Sequence, residues 1–407
     1  MKNVLLLVPT ETYRAQAFMS AAAHLGVSLT IASQEPFPMA HRMGDRAIVV
    51  SLDHPQTGLS QIKLANKTSH FDAIVSIDDA GLKTAALASQ ELGLKHISTS
   101  TTDLAQNKIA MRERLLDCQV AQPIFQTYRE GERLEEKLST IGRFPLVIKP
   151  ATLSGSIGVM RANSVQEVRE AVPIVRAIQA SHGCASEYPL LIEEYIDGTE
   201  YAVEAIVIGG KLRILTIFDK PQPLRGPFFA ETIYVTPTSL PKEVANQLFE
   251  VLDRTRTALD ITTGPIHAEF RITDTGEIYF LELAARSIGG TCSKAVPLSG
   301  GASIEKVILA EALGLHAPDL SFENQASGVY MIPVPSKGRL REIKGIDRAK
   351  AVRWITGVDM TYSADTDVLP IPYDAKYLGF VFAKAPTTRT VVRSLEEAVA
   401  RLEIEIS

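Results

Sequence analysis

The residues of this chain best placed to do chemistry are two glutamates in one hairpin. The stretch Gly264 to Gly290 reads GPIHAEFRITDTGEIYFLELAARSIGG, with strand-like runs on either side of Asp274-Thr275-Gly276-Glu277. A two-residue loop at Thr275-Gly276 suits a tight hairpin and pairs Asp274 with Glu277 and Thr273 with Ile278. Carried back along the strands, that register sets Glu269 directly opposite Glu282. Like charges facing each other destabilise a sheet, and a cation between them removes the penalty. Two carboxylates completed by phosphate oxygens suit magnesium, a hard ion that takes few protein ligands. The alternative is a solvated hairpin with both acids in water, against which the apolar neighbours Phe270, Phe280, Leu281 and Leu283 argue.

Four residues beyond Glu282 stands Arg286, followed by Ser287-Ile288-Gly289-Gly290. An arginine beside a metal–phosphate site can clamp phosphate or carboxylate with two parallel hydrogen bonds. The Gly289 and Gly290 backbone can bring N–H groups close to an anion. His267, two residues before Glu269, is a candidate base for an amine, with a packed structural histidine as the competing expectation.

Phosphate-binding features stand earlier in the chain. FPLVIKP, Phe144 to Pro150, closes an apolar run with Lys149, where a lysine needs a partner. The loop that follows, with Ser154, Gly155, Ser156 and Gly158, has the small residues needed to fold N–H donors over phosphates. It is not a Walker A loop, since no Gly-Lys-Ser/Thr follows. In LLIEEYIDGTE, Leu190 to Glu200, Glu193 can accept a hydrogen bond from an adenine amino group. Backbone groups of Glu194 and Ile196 can read the ring edge, and Glu200 can hold ribose hydroxyls. Alone, this segment also reads as a charged hairpin tip.

The elements that must position these groups follow from hydrophobic periodicity. Over the first hundred residues strand and helix signals alternate: strands at Asn3 to Val8, Val27 to Ala32, Arg46 to Ser51 and Asp72 to Ile77, with helices at Arg14 to Leu25 and Ala80 to Leu92. This predicts a doubly wound α/β unit. No G-x-G-x-x-G follows the first strand, which speaks against dinucleotide binding. A helix capped by Thr102 or Asp103 is expected to run to about Cys118. The pattern is β-rich from Phe144, with helices near Ser164 to Gln179, Lys242 to Leu259 and Ser303 to Leu313. A Pro-rich, β-rich tail begins at Gly328, with a last helix near Ser394 to Leu402.

Bulk composition narrows the function classes. The chain has 407 residues, 45% hydrophobic and 22% charged, with a formal net charge of -5. That charge provides no overall field for nucleic acid or anionic lipid. Cys118, Cys184 and Cys292 are scattered and odd in number, so neither a disulfide framework nor a zinc site is expected. No apolar run is long enough to span a bilayer, and a cytoplasmic location is expected.

In order and spacing these elements resemble the ATP-grasp enzymes, a family that includes D-alanine–D-alanine ligase, biotin carboxylase and glycinamide ribonucleotide synthetase. The resemblance runs from about Asn107 to Gly290. Within the family, HAEF (His267 to Phe270), ELAARSIGG (Glu282 to Gly290), FDKPQPLRGPFFAETIYVTP (Phe218 to Pro237), MIPVPSKGRL (Met331 to Leu340) and YLGFVFAKA (Tyr377 to Ala385) are similar to the L-amino acid ligases, which make dipeptides and related amides.

The resemblance implies a mixed α/β and α+β architecture in three parts. These are a Rossmann-like N-terminal domain at 1–100, an ATP-grasp domain at 101–320 (nucleotide lobe about 110–200, metal and substrate lobe about 201–320) and a β-rich C-terminal subdomain at 321–407. It implies that Lys108 and Lys149 contact ATP phosphates, that Glu193, Glu194, Ile196 and Glu200 hold adenosine, that Glu269 and Glu282 bind Mg2+ (with Mn2+ able to substitute), and that Arg286 stabilises an acyl phosphate. Where many of these enzymes have an asparagine two residues after the second metal glutamate, this chain has Ala284, which removes one ligand. The partners implied are small-molecule carboxylate and amine substrates, amino acids first among them. A homodimer is expected because two-fold dimers are the commonest assemblies. Two other readings remain: purine or carboxylation chemistry on the same scaffold, and a non-catalytic nucleotide-binding module. The tail speaks against the first, and the joint presence of Lys149, Glu269, Glu282 and Arg286 against the second. Specificity is expected in the loops around Lys220 to Glu231 and Ser287 to Ser299.

Overall fold

Strand β1 (Asn3–Leu7) is an apolar run buried along most of its length, and it forms the interior of a four-stranded parallel sheet. Its partners are β2 (Ser28–Ser33), β3 (Ala47–Val49) and β4 (Ala73–Ser76), in the order β3-β2-β1-β4. The expected third strand, Arg46 to Ser51, is thus only three residues long. Helices Ala15–Leu25, Pro55–Ser69 and Leu82–Leu92 pack around the sheet, the first and last stopped by left-handed Gly26 and Gly93. The computed structural model describes residues 1–10, 12, 14–36, 46–185, 187–316, 318 and 320–407.

The helix expected from Thr102 or Asp103 to Cys118 is two helices, Thr99–Gln106 and Lys108–Asp117. Ser98 caps the first. Asn107 breaks the run in an extended conformation (φ -124°, ψ 105°), and its side chain accepts hydrogen bonds from the Ile109 and Ala110 N–H groups. An asparagine side chain that satisfies free N–H donors competes with helix continuation. The break puts Lys108 at the start of the second helix, its own N–H bonded to the Ala151 carbonyl at 2.8 Å.

A small antiparallel sheet follows, ordered β5-β8-β6-β7: β5 (Phe125–Tyr128), β6 (Leu146–Pro150), β7 (Met160–Ala162) and β8 (Leu190–Glu194). Helices Leu134–Ile141 and Val165–Ser181 cover one face through Leu138, Val168, Ala171 and Val175.

The largest sheet has eight antiparallel strands. Five of them are β9 (Thr199–Ile208), β10 (Lys211–Asp219), β11 (Ile233–Thr236), β12 (Gly264–Ile272) and β13 (Ile278–Ala284). The tail adds β14 (Ala326–Ile332), β15 (Gly338–Lys344), β16 (Ile355–Met360), β17 (Thr366–Val368), β18 (Gly379–Ala385) and β19 (Glu403–Ile406). The order β13-β12-β9-β10-β11-β14-β18-β16 carries the sheet past residue 320 without interruption, because β11 pairs with β14. Strands β17-β15-β19 form a separate edge sheet. The last helix is Thr388–Val399, six residues ahead of its expected start. Thr387 caps it, and Val391, Leu395 and Ala398 are buried at helical spacing.

Candidate active site

Glu269 does face Glu282 across the β12–β13 hairpin, but by a route the simple register does not describe. The turn is longer than two residues. The Thr273 N–H donates to the Glu277 carbonyl at 3.0 Å, and Gly276 closes the loop at φ 86°. Ile272 therefore pairs with Ile278, one residue out of the expected phase. A β-bulge then absorbs Leu281, so that Phe270 opposes Phe280 while Glu269 opposes Glu282. The two one-residue displacements cancel. The bulge also frees the Leu281 carbonyl, which accepts a 2.6 Å hydrogen bond from Arg112 Nη2.

The two glutamates form part of a wall between two chambers. On one side lie Lys108, Lys149, Val147, Val159, Glu193, Glu194, Ile196, Glu200 and Leu281. On the other, a cavity of about 310 Å³ is lined from separate parts of the chain: Arg14 and Asp78, the Ser154 to Ile157 loop, Glu231 and Tyr234, His267 and the Ala284 to Cys292 segment, and Met331 with Ala375 to Phe380. Ser156, Glu231, Glu269 and Glu282 line both.

Each wall carboxylate holds a lysine. Lys108 Nζ sits 2.8 Å from Glu282 Oε1 and also donates to the Leu153 carbonyl at 2.5 Å. Lys220, only 3% exposed, lies among Glu200 (2.7 Å), Glu269 (2.9 Å) and Glu231. Burial works against its charge, but the three carboxylates outweigh it and hold its pKa well above the ordinary lysine value. Glu200, Glu231 and Glu269 are also the one trio among the described residues close enough to ligate a metal, but the ammonium fills their centre. Glu269 belongs to that trio and also faces Glu282 across the hairpin, which gives two hard oxygen donors with Lys220 and Lys108 beside them. That donor chemistry fits magnesium bound through two carboxylates and water, and the Ala284 methyl next in line offers no further ligand.

In the chamber with Lys108 and Lys149, Glu193 is held by two cations. Arg112 Nε donates to it at 2.6 Å and Lys149 Nζ at 2.5 Å. Burial would raise its pKa, yet the two cations hold it below the ordinary glutamate range. Each oxygen accepts from one of these cations, so the carboxylate anchors Lys149. Burial in turn lowers the Lys149 pKa against the pull of Glu193. The Glu194 N–H is bonded to the Ile124 carbonyl and the Ile196 carbonyl to Arg271 Nη1 at 2.7 Å, leaving the Glu194 carbonyl and Ile196 N–H for a ring edge. Glu200 is shared by Lys220 and Arg271.

The small-residue loop divides in two. Ser154, Gly155 and Ser156 line the chambers. Gly158 lines neither: its N–H is spent on the Pro372 carbonyl at 2.8 Å, and a Cβ there would strike Pro150, so it is no phosphate donor.

In the other chamber, Arg286, Gly289 and Gly290 are brought together with His267. Arg286 Nε donates to Asp79 at 2.9 Å and Nη1 to the Ser287 carbonyl at 3.0 Å. Gly290 (φ 58°) packs under the Phe380 ring. His267 does not suit a base. Its Nδ1 lies 2.5 Å from Glu204, and its Nε2 is 3.5 Å from Glu269. Burial lowers its proton affinity, but Glu204 and Glu269 outweigh it and hold the pKa at about 9. An imidazole already protonated at neutral pH takes no proton from an amine.

Arg14, Asp79, Arg112, Glu204 and Arg271 were not singled out from the sequence. Each has its partner far along the chain; only Arg271, between Phe270 and Ile272, carries a local hint of burial, whereas Arg112 sits in a charged run with Glu113 and Arg114.

Comparisons with known proteins agree with this geometry. Residues 142–295 match the family model of the ATP-grasp domain, 19–96 that of the ATP-grasp N-terminal domain, and 330–407 that of the L-amino acid ligase C-terminal domain 2. The chain is 22% identical to the uncharacterized protein y4rH of Sinorhizobium fredii, over 100% of this chain and 84% of that protein. It is 24% identical to alanine–anticapsin ligase of Bacillus subtilis over 54% of this chain, a match spanning about half (49%) of that enzyme. The crystal structure of L-amino acid ligase from Bacillus licheniformis superposes with a TM-score of 0.83 at 24% identity, covering 100% of this chain and 99% of the other. Among the described residues no helix is long and apolar enough to cross a membrane.

Proposed function

We propose, this chain being a member of the ATP-grasp superfamily of ATP-dependent carboxylate–amine ligases, that it joins two amino acids into a dipeptide or amino-acid amide through an acyl phosphate. The observation that carries this reading is the shared wall: Ser156, Glu231, Glu269 and Glu282 face a nucleotide chamber on one side and a substrate chamber on the other. A phosphoryl group transferred across that wall passes from ATP to a substrate carboxylate.

In this reading the adenine ring lies against Val147, Val159 and Leu281, its edge met by the Glu194 carbonyl and the Ile196 N–H. Lys108, Lys149 and the Ser154 to Ser156 backbone neutralise and orient the phosphates. Magnesium, when bound, would be held by Glu269 and Glu282 and would supply charge neutralisation at the phosphate oxygens. The donor carboxylate oxygen attacks the γ-phosphorus, the bond to the β–γ bridging oxygen breaks, and ADP leaves. Such transfer depends on position and charge, with no protein nucleophile. The amine nitrogen then adds to the acyl carbon. The bond to phosphate breaks, inorganic phosphate departs, and the amine's proton leaves to solvent or phosphate. Arg286 and the Gly289-Gly290 backbone offset charge on the tetrahedral intermediate. The C-terminal match to the L-amino acid ligases supports amino acids as substrates and weighs against purine or carboxylation chemistry.

The test is phosphate release from ATP with a panel of amino-acid pairs, with products read by mass spectrometry. A specific pair should stimulate release and give a product of the summed masses less water. Glu282→Ala should abolish turnover while leaving the thermal melt intact. No stimulation by any pair, or full activity in that variant, overturns the reading.

A further inference from the structure

The substrate-side arginine does not stand alone. Arg286 is 13% exposed and has five N–H bonds. Nε is given to Asp79 and one Nη1 hydrogen to the Ser287 carbonyl, which fixes the plane of the guanidinium and leaves the other donors for a ligand. Asp79 comes from the far end of the chain, in the short turn between β4 and helix Leu82–Leu92. Its backbone is held at both ends: Asp78 Oδ1 accepts its N–H at 2.7 Å, and Gln106 Nε2 donates to its carbonyl. Asp78 lines the substrate chamber, whereas Asp79 stands behind Arg286 and lines none of the chambers described. A second tie lies alongside, since buried Arg14 donates to the Ile77 carbonyl and to Ser287 Oγ.

From this arrangement we propose that Asp79 is a positioning residue: it aims Arg286 at the acyl phosphate and so couples ATP consumption to amide formation. The inference rests on the ligase reading above. An acyl phosphate met by a misaligned arginine persists long enough for water to take it, giving ADP without amide. The nucleotide chamber, on the other side of the wall, is untouched.

The experiment uses the full chain and the amino-acid pair found by the screen. Asp79→Ala should lower kcat for amide formation on the order of 100-fold while KM for ATP stays within about twofold. The ratio of ADP to amide should rise well above one. Asp79→Glu should recover part of kcat. Arg286→Lys should lower kcat similarly, and the double variant should lose little more than either single change. If Asp79→Ala does not fold, Asp79→Asn keeps an acceptor oxygen without the charge and gives the same readouts. Wild-type kcat and a ratio of one in these variants overturn the proposal, as does a double variant whose loss is the product of the two single losses. Those results would leave the ligase reading standing, whereas a wild type that turns over no pair removes both.

Discussion

The two chambers on either side of the Glu269–Glu282 wall are built in opposite ways. The nucleotide chamber draws on residues 108–282, and its charges are settled inside that span: Lys149 and Arg112 on Glu193, Lys108 on Glu282, Lys220 and Arg271 on Glu200. The substrate chamber shares residues 154–157, 231–234 and 267–292 with that central part of the chain and adds residues 12–78 and 331–380 from either side of it. It is held by ties between distant segments, including Asp79 to Arg286, Arg14 to Ser287 and Gly158 to Pro372. Binding ATP is the same task whatever is being ligated, so one stretch of chain can carry it. In the ligase reading the other chamber fits a particular pair of substrates, and a wall that adds N- and C-terminal segments to the central domain can be reshaped one segment at a time.

That contrast can be broken most severely at Lys149. Replacing it with Met removes the proposed phosphate contact and should cut ADP formation on the order of 100- to 1,000-fold for every amino-acid pair, measured as ADP release. If the loss depends on the pair, the two chambers are not separable as described. Gly290→Ala acts on the opposite side. Its Cβ would fall 2.7 Å from the Phe380 ring at a left-handed position. We expect amino-acid KM to rise about tenfold with ATP KM unchanged, and a matching rise in ATP KM would count against the division.

His267 sharpens the comparison at the wall itself. Its pKa of about 9 lies above the ordinary 6.5. The charge it carries therefore contributes stability that is fully present below about pH 6.5 and is lost as pH rises through about 9. In nucleotide-free and metal-free protein this should appear as a fall of at most about 1.4 kcal/mol per pH unit across that window. Denaturant titrations at a series of pH values measure it, and His267→Gln should flatten the profile. The smallest effect is expected at Asn107, whose side chain caps the helix that begins with Lys108. Asn107→Ala should cost about 1 kcal/mol in the same titrations, with a modest rise in ATP KM as the first turn of the helix that carries Lys108 loosens.

Much of the fold was legible in the sequence because strand and helix periodicities are local. The buried run of β1, the helices of the first hundred residues and those beginning near Ser164 and Ser303 all follow from neighbouring residues. The misreadings were local too. Asn107 looked like one more residue of a continuing helix, and β11 hid in a proline-rich segment. The hairpin is more instructive: a turn one residue too short and an unseen bulge at Leu281 cancelled, so Glu269 and Glu282 face each other for reasons the simple register does not contain.

By itself the sequence determined which side chains are available for phosphate chemistry and the order in which the strands deliver them, since both depend on residue type and short-range pattern. Only the tertiary structure decided how those side chains are charged and aimed. Glu193 became an anchor for Lys149, His267 an imidazolium between two acids, and Arg286 a guanidinium oriented by an aspartate 207 positions away. Buried charge is governed by distance and desolvation, and both are set by the packing of segments far apart in the chain.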